Sequence, residues 1–313
     1  MTSTNLPGAG HVSDTVAGSA SGPGPAAGPL RGDVSGHGSR SSAGDGYVGA
    51  GMASETPIPD WMEERFAVLR SGAVTAAVRD DFREYFGRYD LMQAADRPPD
   101  APGVGAAGGG EGAGRGVVYH LPVGKLGQAV LRPYRRGGLI RHLVDRRYFW
   151  GDRAFDELAL TERLRRLELP VPEPLAAVQR DLSPGYRAAL VTRRIPGVRP
   201  LPELLEDGIR DPDELMAAAG RTVGRLHREG VWHADLNAFN LLADPTGGPV
   251  HVVDFDRGRF FDDAVTGFFA RSNRKRLRTS LEKLELDAAR EAWPAFEAAC
   301  RDELQGAESG DGS

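Results

Sequence analysis

The feature that most constrains this chain is a polar loop at residues 233–240, which is followed by two short apolar runs. Both lie in the sequence LHREGVWHADLNAFNLLADPTGGPVHVVDFDRG at residues 226–258. The loop holds Asp235 and ends at Asn240, and the second apolar run is followed by Asp254. A Gly-Gly pair at 247–248, between the runs, is typical of a hairpin turn. Because a hairpin brings the ends of its two strands together, we expect Asn240 and Asp254 to lie close in space.

These side chains have the chemistry of a phosphate-transfer site. Carboxylate and amide oxygens, such as those of Asp254 and Asn240, are ligands that suit Mg²⁺. Asp235 is a further carboxylate, which could accept a proton from a hydroxyl group. A metal-binding pair beside a carboxylate base is the equipment for metal-assisted phosphoryl transfer. We therefore predict that Asp235 is the catalytic base and that Asn240 and Asp254 are the Mg²⁺ ligands.

The spacing of these residues makes the prediction specific. Protein kinases carry H-x-D-L-x-x-x-N followed by D-F-G, and the octad from His233 to Asn240 fits this register residue for residue. Asp254-Phe255-Asp256 takes the metal-binding position, with Asp256 where the kinases have glycine. Asp and Asn also favour turns, but turn formation alone does not account for both motifs. For His233 we expect a structural role in support of the loop backbone.

A kinase also needs a cation that holds the nucleotide phosphates. The chain has three lysines: Lys125, Lys275 and Lys283. None lies where the kinase motif V-A-I-K would place its lysine, but the run AVLR at 129–132 fits that register with Arg132 in the lysine's place. Arginine can grip phosphate or carboxylate bidentately. On the next predicted helix, Glu157 is the favoured partner of Arg132, and Glu162 is the alternative.

A predicted β-hairpin supplies a candidate cover for the phosphates. Residues 117–121 and 128–132 are two strand-like runs around the sequence PVGKLG. We expect Gly124, Lys125 and Gly127 to lie over the phosphates, through backbone N–H groups and the Lys125 side chain. Turns of the form Gly-x-x-Gly are common, so the turn alone does not indicate a nucleotide site.

The order of the predicted segments indicates an α+β fold. Helix-like patterns lie at 153–167, 211–229 and 277–304, after a part of the chain that is richer in strand-like runs. We predict a two-lobed protein-kinase-like fold, with a β-rich N-lobe at 56–195 and a helical C-lobe at 196–306. Residues 1–55 have few large apolar side chains and should form a disordered tail. The Gly-rich tract 97–116 should be a flexible loop.

Composition excludes several classes of protein. The single cysteine, Cys300, cannot form an internal disulfide, so no disulfide framework holds the fold. The net charge of −5 argues against a general nucleic-acid binder, which is usually basic. No stretch approaches the roughly eighteen apolar residues of a transmembrane helix, and the histidines lack the spacing of a zinc site.

Several short motifs resemble those of the 3-deoxy-D-manno-octulosonic acid (Kdo) kinases, in the lipopolysaccharide kinase group of the protein-kinase-like superfamily. They are LRPYRRGGL at 131–139, RYFW at 147–150, LPVP at 169–172, and the octad with Asp254-Phe255-Asp256. The resemblance covers residues 117–283. The stretch YRRGGL is the discriminating piece, because generic protein kinases do not carry it.

The resemblance implies a substrate and a location. Such enzymes transfer the γ-phosphate of ATP, with Mg²⁺, to the 4-hydroxyl of Kdo in a Kdo–lipid A precursor, at the cytoplasmic face of the inner membrane. It implies no protein partner. The residues alone lead only to an ATP-dependent phosphotransferase. A soluble small-molecule or antibiotic phosphotransferase and a non-catalytic pseudokinase are the alternatives.

A basic stretch at 271–278 agrees with an anionic acceptor. Its cations are Arg271, Arg274, Lys275, Arg276 and Arg278, and Phe268 and Phe269 precede them. Lysine and arginine near an anionic lipid surface attract it, so we expect this stretch to dock the lipid acceptor at the inner-membrane surface. The alternative is a solvated helix face.

Overall fold

One antiparallel sheet dominates the first part of the protein in a computed structural model, which describes residues 58–107, 117–134, 153–182 and 185–306. Its strands are β1 (Phe66–Ser71), β2 (Val74–Arg79), β3 (Gly105–Ala107), β4 (Val118–Pro122), β5 (Gln128–Tyr134), β6 (Pro174–Asp181) and β7 (Tyr186–Arg193). They pair in the order β1-β2-β6-β7-β5-β4-β3. The predicted hairpin of β4 and β5 is confirmed, with Tyr119 opposite Leu131.

The sheet is buried on both faces, because apolar residues occupy consecutive positions of its central strands. In β2, Ala76 and Val78 pack into one core with the short helix α1 (Arg83–Arg88). Ala77, between them, packs into a second core with the helix α2 (Arg153–Arg166). Successive strand residues point to opposite faces. In β5 this alternation places Leu131 in the first core and turns Arg132 toward α2.

The second part of the described chain is mainly helical. It contains α3 (Leu201–Glu206), α4 (Pro212–Arg228), α5 (Gly267–Glu282), α6 (Asp287–Glu291) and α7 (Trp293–Gln305). Helices α4 and α7 pack closely because α4 carries glycine at the contact. A Cβ on Gly224 would lie 2.7 Å from the carbonyl oxygen of Cys300. A sheet followed by packed helices confirms the predicted α+β class.

Five short strands position the polar loop within this helical part. They are β8 (Arg199–Pro200), β9 (Val231–Trp232), β10 (Leu241–Ala243), β11 (His251–Val252) and β12 (Arg259–Phe260). Strands β10 and β11 form the hairpin that the Gly-Gly pair predicts, and Gly247 and Gly248 adopt φ of 107° and 108°. Residues other than glycine rarely adopt these backbone angles.

Some predictions from sequence are wrong or lie outside the described residues. Within the tract 97–116, residues 105–107 form β3 rather than loop, because they pair with β4. The tail at 1–55, the rest of that tract from 108, and the motif residues 135–139 and 147–150 lie outside the described residues. Across the described ranges, no helix combines the length and apolar character needed to cross a membrane.

Candidate active site

A cleft of about 2200 Å³ collects most of the polar residues that the sequence indicated. Side chains from the sheet and α2 line one side, and side chains from the polar loop and α5 line the other. The predicted site residues on its walls are Arg132, Glu157, Asp235, Asn240, Asp254, Arg271, Lys275 and Arg276. The cleft is therefore large enough for a nucleotide and a second substrate together.

The β10–β11 hairpin brings Asn240 and Asp254 to the same edge of the cleft. The backbone N–H of Val253 donates to the carbonyl oxygen of Asn240 at 3.0 Å, which places Asp254 one residue beyond that bond. Asp254 has a φ of 65°, in the left-handed region. Residues other than glycine that are held in this region cluster at functional sites.

Both oxygens of Asp235 have a partner. Oδ1 accepts from Arg276 Nη1 at 3.1 Å, and Oδ2 accepts from the side-chain amide of Asn237 at 3.2 Å. The amide nitrogen of Asn240 donates to the backbone carbonyl of Asp235 at 2.9 Å. This bond leaves the amide oxygen of Asn240 as the atom that could face a metal. Asp235 is 61% exposed and open to a substrate hydroxyl.

The side chain of His233 supports the backbone of the polar loop, which is the structural role that the sequence predicts. Its Nδ1 accepts from the backbone N–H of Asp235 at 3.1 Å, and its Nε2 donates to the carbonyl of Val253 at 3.0 Å. Burial lowers the pKa of His233, so the ring is neutral in this tautomer. The ring thereby ties the segment before Asp254 to the loop that carries Asp235.

Arg132 connects the sheet to both α2 and the metal motif. Its Nη2 lies 2.5 Å from Glu157 Oε2, and its Nη1 lies 2.8 Å from Asp254 Oδ1. Burial alone would lower the pKa of Arg132, but the carboxylates of Glu157 and Asp254 raise it above its ordinary value. The predicted pairing with Glu157 is confirmed, and Glu162 pairs instead with Arg65 and Arg166.

Three further members of this network, Tyr134, Arg153 and Asp256, were not predicted as site residues. The hydroxyl of Tyr134 donates to Glu157, and the ring of Tyr134 lies under the guanidinium of Arg153 at 5.2 Å. Arg153 in turn binds both carboxylate oxygens of Asp256. Asp256, at the position of the kinase glycine, therefore fastens the metal motif to the first residue of α2. In the sequence, Asp256 stands where D-F-G has glycine, and this difference was the one signal that could have marked Asp256 as a site residue. Nothing in the sequence indicated that Arg153 is its partner.

The turn between β4 and β5 does not lie over the cleft, which corrects the prediction for Gly124, Lys125 and Gly127. None of the three lines the cleft. Arg132 is five residues further along β5 than this turn, about 16 Å at 3.3 Å per residue. The turn packs instead on the side of the sheet that carries α1: a Cβ on Gly124 would collide with the hydroxyl of Tyr85.

The basic stretch does not form one face, which corrects the prediction for Arg274 and Arg278. All five cations lie on α5, whose 3.6-residue period separates them. Arg271, Lys275 and Arg276 line the cleft. Arg274 lies 3.7 Å from Glu297 and Arg278 lies 2.9 Å from Glu282, outside the cleft lining. Of the five cations, only Arg271, Lys275 and Arg276 can meet a substrate in the cleft.

The donor set at the edge of the cleft fits Mg²⁺. Asn240 and Asp254 offer hard oxygen ligands, and Mg²⁺ in phosphate-transfer sites is held by one or two such side chains together with substrate phosphates and waters. Within the described parts of the chain, no three His, Cys, Asp or Glu side chains cluster as a self-sufficient metal site. An Mg²⁺ ion held by Asn240 and Asp254 would take its remaining ligands from nucleotide phosphates and waters.

Known proteins resemble this chain in sequence and in structure. The family model of the lipopolysaccharide kinase (Kdo/WaaP) family matches residues 107–299, more than half of the chain. Among solved structures, WaaP in complex with acyl carrier protein matches 75% of this chain and 93% of that chain, at 18% identity and a TM-score of 0.49.

Two curated relatives are 3-deoxy-D-manno-octulosonic acid kinases. The protein from Xanthomonas axonopodis pv. citri (strain 306) is 40% identical over 182 residues, which cover 57% of this chain and 71% of the relative. The protein from Stenotrophomonas maltophilia (strain R551-3) is 41% identical over 206 residues, which cover 64% of this chain and 80% of the relative. The chain therefore belongs to the lipopolysaccharide kinase (Kdo/WaaP) family and is a sugar kinase.

Proposed function

We propose that the protein transfers the γ-phosphate of ATP to the 4-hydroxyl of Kdo in a Kdo–lipid A precursor. The observation that carries this proposal is that Asp235, Asn240, Asp254 and Arg132 line the same cleft. The identity of about 40% to Kdo kinases supports the choice of acceptor. The size of the cleft suits a nucleotide beside a bulky glycolipid head.

Asp235 has the position and exposure of a general base. A base must lie within hydrogen-bond reach of the hydroxyl whose proton it accepts. The bonds from Arg276 and Asn237 hold the carboxylate in one orientation, and the open side of the cleft leaves room for a sugar hydroxyl. In this arrangement Asp235 takes the proton of the 4-hydroxyl as that oxygen attacks the γ-phosphorus.

The nucleotide would lie where the two walls of the cleft meet. Arg132, fixed by Glu157, directs a guanidinium toward the phosphates, and Asn240 with Asp254 would hold Mg²⁺ against them. When bound, Mg²⁺ neutralises charge that develops on the phosphate oxygens. Because Arg132 also contacts Asp254, the phosphate clamp and the metal ligand are positioned together.

The acceptor would enter past the N-terminal end of α5. Phe268, 72% exposed, and Phe269 lie there, and Arg271 and Lys275 follow on the cleft side. Aromatic rings beside cations suit a surface of anionic lipids, where each cation contributes about 1 kcal/mol. We propose that this end of α5 rests on the cytoplasmic face of the inner membrane, so that the cleft faces the lipid-bound sugar.

The test is phosphate transfer by the full chain to a purified Kdo–lipid A precursor, with the product's phosphate position assigned by NMR. Asp235→Asn should lower kcat by about 10²–10⁴-fold, while binding of ATP with Mg²⁺ stays close to that of the parent protein. Retention of more than about a tenth of the rate would remove Asp235 as base. Faster transfer to free sugars or aminoglycosides than to the lipid acceptor would favour a soluble small-molecule phosphotransferase.

A further inference from the structure

We propose that Arg276 is a catalytic residue that stabilises the phosphoryl group during its transfer, an inference that rests on the proposed role of Asp235. Nη1 of Arg276 lies 3.1 Å from Oδ1 of Asp235. A base lies about 3 Å from the hydroxyl that it deprotonates, and that hydroxyl oxygen is the atom that bonds to phosphorus. A change in the side-chain rotamer of Arg276 would therefore bring its guanidinium into contact with the reacting atoms.

The chemistry of the transfer calls for a cation at this place. The acceptor oxygen forms a bond to the γ-phosphorus of ATP, and the bond from phosphorus to the bridging oxygen breaks. ADP leaves with that electron pair, and the hydroxyl proton passes to Asp235. Negative charge is spread over the three equatorial phosphoryl oxygens in between. A guanidinium has five N–H donors, so Arg276 can bind Asp235 with one and a phosphoryl oxygen with another.

The fold holds Arg276 in this position from both sides. Three residues before it, the buried side chain of Asn273 accepts from the backbone N–H of His233 at 3.2 Å and donates to the His233 carbonyl at 2.6 Å. Four residues after it, Ser280 Oγ accepts from the backbone N–H of Ala238 at 2.9 Å. These bonds fasten α5 to both ends of the loop that carries Asp235.

The polar loop supplies no cation of its own. Residues 233–240 contain neither lysine nor arginine. In the part of the chain that the structure describes, Arg276 is the one ion-pair partner of Asp235. An arginine supplied from elsewhere in the same chain is an established way to stabilise a transferred phosphoryl group, and such arginines contribute about 10³–10⁵ in kcat where they have been removed.

A stability role does not account for the pair. The side chains of Arg276 and Asp235 are 53% and 61% exposed. Ion pairs this open to water contribute little to the free energy of folding. Substitution of Arg276 should therefore leave the fold intact, which makes kinetic measurement of its variants informative.

The experiment compares Arg276→Ala, Arg276→Lys and the control Arg278→Ala in the full chain, with ATP, Mg²⁺ and the Kdo–lipid A precursor. Arg278 lies on the same helix, also pairs with a carboxylate, and stands outside the cleft lining. We expect Arg276→Ala to lower kcat by about 10²-fold or more, with both KM values within about threefold. Arg276→Lys should retain an intermediate rate, and added guanidinium should partly restore Arg276→Ala.

Three results would overturn the inference. One is a kcat for Arg276→Ala within about threefold of the Arg278→Ala value. Another is a rise in the acceptor KM alone, which would make Arg276 a docking residue. The third is no response of Arg276→Ala to guanidinium together with a rate for Arg276→Lys as low as for Ala. If Arg276→Ala does not fold, Arg276→Gln is judged by the same thresholds.

A parallel measurement of Asp235→Asn separates the two proposals. If Asp235→Asn keeps its rate, the proposed base fails and the inference fails with it. If Asp235→Asn is inactive while Arg276→Ala turns over like the parent protein, the proposed function stands and only the role of Arg276 is lost.

Discussion

The two walls of the cleft use their charges differently. On the wall formed by the sheet and α2, charged groups bind one another: Glu157 is 3% exposed and lies against Arg132, and Arg153 lies against Asp256. On the wall formed by α5, Arg271 and Lys275 have no carboxylate within ion-pair distance among the described residues. The first wall is organised by its own ion pairs. The second wall has one exposed pair, between Arg276 and Asp235, and leaves Arg271 and Lys275 available to a ligand.

This difference predicts how substitutions should behave. Removal of one partner from a buried pair leaves the other charge without compensation, which costs both stability and geometry. Removal of an exposed, unpaired cation costs only what that cation does for a ligand. Variants of the first wall should therefore lower melting temperature and activity together, and variants of the second wall should change kinetics alone.

Asp254 is where the two walls meet, so its substitution should have the largest effect. Asp254→Asn removes the negative charge of a proposed Mg²⁺ ligand and the carboxylate partner of Arg132 Nη1. Loss of metal-based charge stabilisation is worth several kcal/mol, so we expect kcat to fall about 10³-fold. The Mg²⁺ concentration for half-maximal rate should rise. Titration of Mg²⁺ at saturating ATP checks this, and an unchanged Mg²⁺ dependence would remove Asp254 from the metal site.

Glu157→Gln should be the most destabilising change on the buried wall. Arg132 would lose its closest carboxylate, and the Tyr134 hydroxyl would have to share the one amide oxygen that remains as an acceptor. Breaking a buried pair in this way costs about 3 kcal/mol, measurable as a lower urea midpoint. Glu214→Gln is the matched control, because Glu214 and Arg221 form an exposed pair that should contribute less than about 1 kcal/mol. Equal effects of the two variants would contradict the comparison between the walls.

His227 makes the stability of the second wall depend on pH. It donates to Asn273, the residue that fastens α5 to His233. Burial, with a smaller contribution from the charge of Arg274, lowers the pKa of His227 to about 4. The unfolded chain binds the proton near pH 6.5. Stability should therefore fall as pH drops from 6.5 toward 4, because the unfolded state then holds more protons.

At pH 5 this effect amounts to about 2 kcal/mol. Urea unfolding of the parent protein and of His227→Gln at pH 7 and pH 5 measures it. The variant should lose less stability between the two pH values than the parent protein does. Equal losses in both proteins would mean that other groups carry the pH dependence.

Local patterns predicted those parts of the site that depend on neighbours in sequence. The octad, the β10–β11 hairpin and the strand with Arg132 each follow from residue order over a few positions. Strand β6 was not predicted, and it begins at Pro174, a residue that has no backbone N–H to donate to a sheet. The contact of Arg276 with Asp235 joins residues 41 apart. No local pattern encodes it, because tertiary packing of α5 on the loop decides which of five cations meets the base.

The smallest expected effect lies on the exposed wall, and it is the one that tests what that wall binds. Lys275→Ser should raise the KM for the lipid acceptor about fivefold, because one cation near an anionic surface contributes about 1 kcal/mol. The melting temperature, kcat and the KM for ATP should stay near those of the parent protein. Arg274→Ser is the control one residue away, since Arg274 faces Glu297 outside the cleft. Binding to vesicles of anionic lipid should weaken for Lys275→Ser, and the difference should shrink at high salt because screening shortens the reach of the charge. A lower melting temperature for Lys275→Ser, with vesicle binding unchanged, would mean that the exposed wall also serves the fold and that the two walls do not divide these roles.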